Sequence, residues 1–297
     1  MTATLYDVPG PRAKRRTLIF SLVALVIVGI VLALVVVRLA AQGQFSADKW
    51  GPLVNPAHPL FSLVWSRLGQ GLINTLIAAG LTLVLALAIG TLLAVTRITS
   101  APWYRWLVVS VIEVLRGLPV VVSIYFAARV LPELGIDLPA LWYLVIGLTA
   151  YNSVVIAEII RAGVSAIPKG QSEAAYSVGM TRGQVLRMIL LPQAFRIMLP
   201  ALISQLVVIV KDTSLAFIIV GYEEFVRTAN QIIQAFVNQG TPNPIQVYTV
   251  VAVVFIAINY GLGKFAEFTE RRLSRAKKTA APPAAADALD PVESTQT

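Results

Sequence analysis

Residues 173–194 read EAAYSVGMTRGQVLRMILLPQA, a polar stretch enclosed by long apolar runs. The order of its residues predicts two short helices. Pro168 and Gly170 interrupt the apolar run before it, and Ser172 is placed to cap a helix whose Ala174, Ala175 and Val178 form a small-residue face. Gly179 then supplies a left-handed C′ position, and Thr181 with Gln184 three residues on makes a capping box for a second helix. That helix carries Val185, Met188 and Ile189 on one face, keeps Arg182 and Arg187 polar, and is expected to stop at Leu191 and Pro192.

Outward from this stretch the composition is that of a membrane protein. Of 297 residues, 57% are hydrophobic and 13% charged, against about 25% charged in a soluble domain. No cysteine is present, which removes disulfides, thiol nucleophiles and thiolate metal sites. The one histidine, His58, sits in a Pro-rich loop without a metal-ligand spacing and is expected to be solvated. The net charge of +9 is not arranged along a face or interleaved with aromatics, so nucleic acid is not a partner. Lys and Arg flank the apolar runs instead.

Apolar runs long enough to cross about 30 Å of hydrocarbon fall at roughly 18–40, 71–96, 105–131, 139–161, 197–220 and 245–266. The first follows RAKRR and is too long for a signal-peptide core, so it reads as an uncleaved anchor. With the N-terminus inside, the inner segments hold seventeen Lys and Arg, and the outer ones only Arg38, Lys49, Arg67, Arg129 and Arg227. This asymmetry places both termini and the 162–196 loop in the cytoplasm. The expected layout is a basic N-terminus at 1–17, an anchor at 18–40, an extracytoplasmic loop at 41–66, a transmembrane domain at 67–268 and a disordered tail at 269–297.

The spacing of Glu173, Ala174, Ala175, Gly179, Ile189, Leu191 and Pro192 resembles the EAA signature of ABC importer permeases. GLINTL at 71–76, IEVLRGLPVVV at 112–122, AEIIRAGVSAIPKGQSEAA at 157–175 and LPQAFRIMLPALISQLVVIVKDTSL at 191–215 resemble the polar amino-acid branch of that family. The general look, including LYDVPGP before the first run, is similar to glutamate-uptake permeases of actinobacterial type. The resemblance implies an all-α polytopic fold of six transmembrane helices: a five-helix type I importer core over about 70–266, with one helix added before it. It implies that the loop is a coupling helix docking into a separate ATPase, with Glu173, Ala174, Ala175, Gly179, Leu191 and Pro192 as its contact or shaping residues. The implied partners are ATPase subunits, a second permease subunit (the same chain or a homologue), an extracytoplasmic amino-acid-binding protein and the bilayer of the plasma membrane.

No Gly-x-x-x-x-Gly-Lys-Ser/Thr loop occurs in the chain, so ATP and Mg²⁺ are expected to be used by the partner ATPase. No cofactor, metal or catalytic residue is expected of this chain.

Ionisable residues at membrane depth cost about 2.5–3.5 kcal/mol each at a helix centre, so they face a cavity or a partner. Glu113 and Arg116 share a helix face, and two roles stand open for them: an ion pair, or a position on the substrate path beside a helix break at Gly117 and Pro119. Adjacent residues on a helix diverge by about 100°, so Lys211 and Asp212 each need a separate partner. Lys211 is open to a structural carboxylate or a substrate carboxylate, and Thr213 and Ser214 add hydroxyls on a helix that the resemblance places along the path. Glu158 is expected to pair with Arg161. Ala79, Gly80 and Gly90 read as points of close helix packing. Two rival functions fit less: a proton- or ion-coupled transporter or channel using Glu113 and Asp212, which leaves the loop without a purpose, and a membrane enzyme, which lacks a catalytic constellation.

Overall fold

The structure, a computed structural model, describes residues 10–99 and 102–279. All regular structure among the described residues is helical. Residues 1–9 of the expected basic N-terminus and 280–297 of the expected tail lie outside the described residues. Contacts divide the chain into two units, one comprising Met1–Trp65 with Ile232–Tyr248 and the other Ser66–Gln231 with Thr249–Thr297.

The first unit contains α1 (Pro11–Ala41), α2 (Ala47–Val54), the first turn of α3 (Phe61–Thr99), the end of α11 (Phe225–Asn238) and the start of α12 (Pro244–Thr279). No residue of α1 is buried, and its length and apolar character suit a membrane crossing. Tryptophans organise the chain after it. Trp50 donates its indole N–H to Gln44 O at 2.9 Å, and Trp65 donates to Leu53 O at 3.0 Å. His58 is half-buried rather than solvated: its ring lies against Gly51, and Nδ1 accepts the Leu60 N–H at 3.2 Å, so it shapes a turn.

The second unit holds the rest of α3, α4 (Pro102–Gly117), α5 (Val120–Glu133), α6 (Ala140–Ser165), α7 (Lys169–Ser177), the chain of helices from Arg182 to Ile219 that includes α8 (Arg182–Gln184), α9 (Leu191–Asp212) and α10 (Ala216–Ile219), the start of α11 and most of α12. Its core centres on α6, whose Leu144, Leu148, Ile156 and Ile160 are almost wholly excluded from solvent. Close approach there depends on missing side chains. A Cβ on Gly147 would collide with the Ile124 backbone of α5, and one on Gly90 would lie 2.6 Å from Ser153 O. Ala79 also packs inside, against Ile209 and Val210, but Gly80 has open space and no packing role.

Among the described residues five helices are long and apolar enough to cross a membrane, and a sixth crossing requires counting a bent pair as one. That pair occupies the run read as a span over 105–131. It turns by 101° between Gly117 and Val120. The cause is local: Pro119 has no N–H to continue α4, and its extended backbone instead serves as the N-cap of α5. At the other end of the chain α12 runs to Thr279, so residues 269–279, expected to be disordered, are helical.

Candidate functional site: a two-helix loop and the charges around it

The loop between α6 and α9 is built by two successive end-motifs. α7 begins at Lys169 behind Pro168, earlier than expected, so Ser172 lies inside it and donates its hydroxyl to Lys169 O at 2.8 Å instead of capping. The helix ends as a Schellman motif, with Gly179 N donating to Tyr176 O at 3.0 Å and Met180 N donating to Ala175 O at 3.2 Å. Gly179 has φ +83°, the left-handed conformation expected of it. Thr181 then caps the next helix. Its backbone N–H donates to Gln184 Oε1 at 2.8 Å while its Oγ1 accepts the Gln184 N–H at 3.4 Å, completing the box.

The second helix does not stop at Pro192. α8 (Arg182–Gln184) passes into a π-helical stretch, Val185–Leu190, and then into α9 (Leu191–Asp212). A proline inside an α-helix loses one hydrogen bond and presses on the carbonyl four residues back. The wider π turn ahead of Pro192 accommodates both faults, and the Gln193 side chain donates to Ile189 O at 3.0 Å. The widened turn also shifts the buried face: Val185 and Leu186 are enclosed, whereas Met188 is 69% exposed. On α7, Ala175 is buried, while Glu173 and Ala174 face outward and Val178, just past the helix, is 77% exposed. Loop and span are one continuous rod from Arg182 to Ile219.

Glu158 lies where α6 approaches the end of α3. It accepts from Arg161 Nε at 2.9 Å, as its spacing predicts, and also pairs with Arg97. Arg97 in turn lies 4.0 Å from Glu113. The ion pairs of the described residues do not include Glu113–Arg116. Arg116 is exposed at the end of α4, beside the break. Helical spacing had no access to Arg97, which reaches Glu158 across 61 residues of sequence.

Farther along the rod, the helix tightens into a 3-10 turn at Thr213–Leu215. Thr213 is wholly buried and gives its hydroxyl to Val210 O at 2.7 Å, and the Ser214 hydroxyl donates to Lys211 O at 2.7 Å. Lys211 and Ser214 line a cleft of about 510 Å³ with Val251, Phe255 and Asn259 of α12. Asn259 donates to Phe255 O at 2.6 Å, and its Oδ1 is buried without a partner among the described residues. Sequence reasoning missed Asn259, although an amide in an apolar span is itself a signal. Glu113, Arg116, Asp212 and Thr213 do not line this cleft.

Glu224 was missed as well. It is fully buried just ahead of α11, where its two oxygens accept the Val226 N–H at 2.7 Å and the Arg227 N–H at 2.6 Å. Burial pushes its carboxyl up to about 7, against the opposing pull of those N–H groups and of Arg227. No group of His, Asp and Glu among the described residues is arranged to hold a metal ion.

The family model described as "Binding-protein-dependent transport system inner membrane component" matches residues 86–275. The chain is 40% identical over 246 residues to the glutamate transport system permease protein GluD of Corynebacterium glutamicum, covering 81% of this chain and 86% of that one. It is 30% identical over 199 residues to the arginine transport system permease protein ArtQ of Bacillus subtilis, covering 67% and 90% respectively. Among solved structures, an amino acid ABC transporter crystallised with histidines matches with a TM-score of 0.64 and 30% identity, over 73% of this chain and 99% of that one. The family match over residues 86–275 encloses α6, the loop and the whole Arg182–Ile219 rod, and the chain belongs to the family of binding-protein-dependent transport system inner membrane components.

Proposed function

We propose that this chain is the membrane-spanning permease subunit of an ABC importer for polar amino acids, with glutamate as its substrate. The observation that carries the reading is the 40% identity to a glutamate permease over 81% of the chain. A separate ATPase binds and hydrolyses ATP with Mg²⁺. The loop couples that hydrolysis to transport: Glu173 and Ala174 present the docking surface, Gly179 fixes the angle between its helices, and Leu191 and Pro192 join it to the rod. Because the rod runs unbroken to Lys211, a push on the loop is delivered to the cleft as rigid-body motion of a helix rather than through a flexible hinge.

In the cleft, Lys211 meets the substrate carboxylate during transit, and Asn259 of α12 lines the path beside it. Arg116, exposed beside the helix break, attracts the anion towards the path, while Glu113 and Glu158 hold Arg97. Both termini and the loop lie in the cytoplasm of a plasma-membrane protein, following the charge asymmetry. A second permease, homologous or identical, and an extracytoplasmic binding protein complete the transporter. Affinity purification in mild detergent, with identification of the co-purifying chains, tests the assembly. An ATPase bearing a phosphate-binding loop is expected, and a chain that purifies without one contradicts the proposal.

A further inference from the structure

A second cleft, of about 620 Å³, opens between the last turns of α3 and the start of the Arg182–Ile219 rod. Val95 and Leu186 contribute its apolar side, Thr99 its edge, and Arg182 and Arg187 its charge. Both arginines are exposed, and neither has an ion-pair partner among the described residues. The surrounding loop is basic: over 162–196, Lys169, Arg182, Arg187 and Arg196 stand against Glu173 as the sole acid.

Two further observations fix the depth of this cleft. Trp103 and Trp106, which open α4 a few residues after α3 ends, are 78% and 65% exposed. Exposed tryptophans at the end of an apolar helix mark the headgroup level of a bilayer. Leu92, one turn before Val95 on α3, is 66% exposed, and residues at this spacing lie on one helix face. An apolar ridge thus leads from the membrane interior to the cleft, and two uncompensated guanidinium groups stand at its end.

We propose that this cleft holds the phosphate headgroup of an anionic phospholipid, clamped by Arg182 and Arg187, with an acyl chain along the Leu92–Val95 ridge. Guanidinium forks match phosphate oxygens in pairs, and the ridge distinguishes a lipid from free phosphate or an acidic peptide. The bound lipid fastens the first turn of the rod to the end of α3, so the membrane's anionic lipid content sets how firmly the loop is held. The proposal does not depend on which amino acid is carried.

The test is native mass spectrometry of the delipidated full chain titrated with phosphatidylglycerol or phosphatidylcholine. Phosphatidylglycerol is expected to bind in preference. Two arginines at about 1 kcal/mol each correspond to about thirtyfold, so the double variant Arg182→Gln/Arg187→Gln should weaken phosphatidylglycerol by that factor and leave phosphatidylcholine unchanged. Lys169→Gln, which removes a loop charge outside the cleft, should alter neither. Equal binding of the two lipids, or a double variant that retains phosphatidylglycerol, overturns the proposal. So does competition by inorganic phosphate at the lipid's own affinity. If the double variant loses a partner ATPase while its lipid binding is unchanged, the cleft is a protein contact and the proposal falls.

Discussion

Adding one methyl group at Gly179 should disturb the loop, whereas the same group at Gly170 should be tolerated. Neither glycine has an atom within 4 Å of a would-be Cβ, so sterics with neighbours do not distinguish them. Backbone conformation does. Gly179 has φ +83°, where an L-residue costs about 1–2 kcal/mol, whereas Gly170 lies in the first turn of α7, where alanine carries no such strain. The strain at Gly179 acts directly on the two Schellman bonds that set the angle between α7 and α8, and 1–2 kcal/mol changes the population of that arrangement by about 5–30-fold. The assay is ATP-driven glutamate uptake and ATP hydrolysis by the reconstituted transporter, normalised to membrane protein. Gly179→Ala should lower uptake, and Gly170→Ala should match wild type. Gly179→Asn should fall between them, because asparagine tolerates the left-handed region better than alanine does. Equal uptake by the Gly179→Ala and Gly170→Ala proteins refutes a role for the loop angle.

Gly147→Val would force a side chain into the Ile124 backbone, and overpacking of this kind costs about 1–3 kcal/mol; a lowered melting temperature in detergent is the check, and an unchanged one shows that α5 and α6 are not in close contact. The carboxyl of Glu224 is raised from an ordinary 4.5 to about 7, so the fold favours its protonated form. Stability from this group is full below pH 4.5 and is lost as pH rises through 7, by about 3 kcal/mol at 1.36 kcal/mol per pH unit. The wild-type protein should therefore lose thermal stability over that window and Glu224→Gln should not; parallel melting curves would remove Glu224 as the cause. Cysteines placed at Val178 and Ala235, both exposed, should be labelled by a membrane-impermeant reagent from the cytoplasmic and the outer side respectively, and labelling of 178 from outside reverses the topology.

The loop was legible because its signals are local. Gly179, Thr181 and Gln184 act within a few residues of one another, and the conformations they require are those observed. Pro192 misled because its helix-breaking tendency is relieved by the wider turn at Val185–Leu190, which the proline itself does not announce. The break at Gly117–Pro119 could be read, but its 101° angle could not. The charged residues divide along the same line. Glu158–Arg161 follows from helical spacing, whereas Arg97 captures both Glu158 and Glu113 only after three helices have packed. The separation of Lys211 from Asp212 was evident from helix geometry, but the partner surface on α12, with Asn259, needed the tertiary fold. Gly80 shows the reverse failure: a small residue at a plausible position that packs against nothing.

If hydrolysis of ATP by a partner is converted through this loop into amino-acid uptake, the conversion can be rebuilt from purified parts. Proteoliposomes holding the chain with its co-purified ATPase, supplied with the extracytoplasmic binding protein, test it most directly by glutamate accumulation. Uptake should need both ATP and the binding protein, and Glu173→Lys should abolish it while the subunits remain assembled. Glutamate uptake that proceeds without ATP and follows an imposed proton or sodium gradient would contradict that conversion.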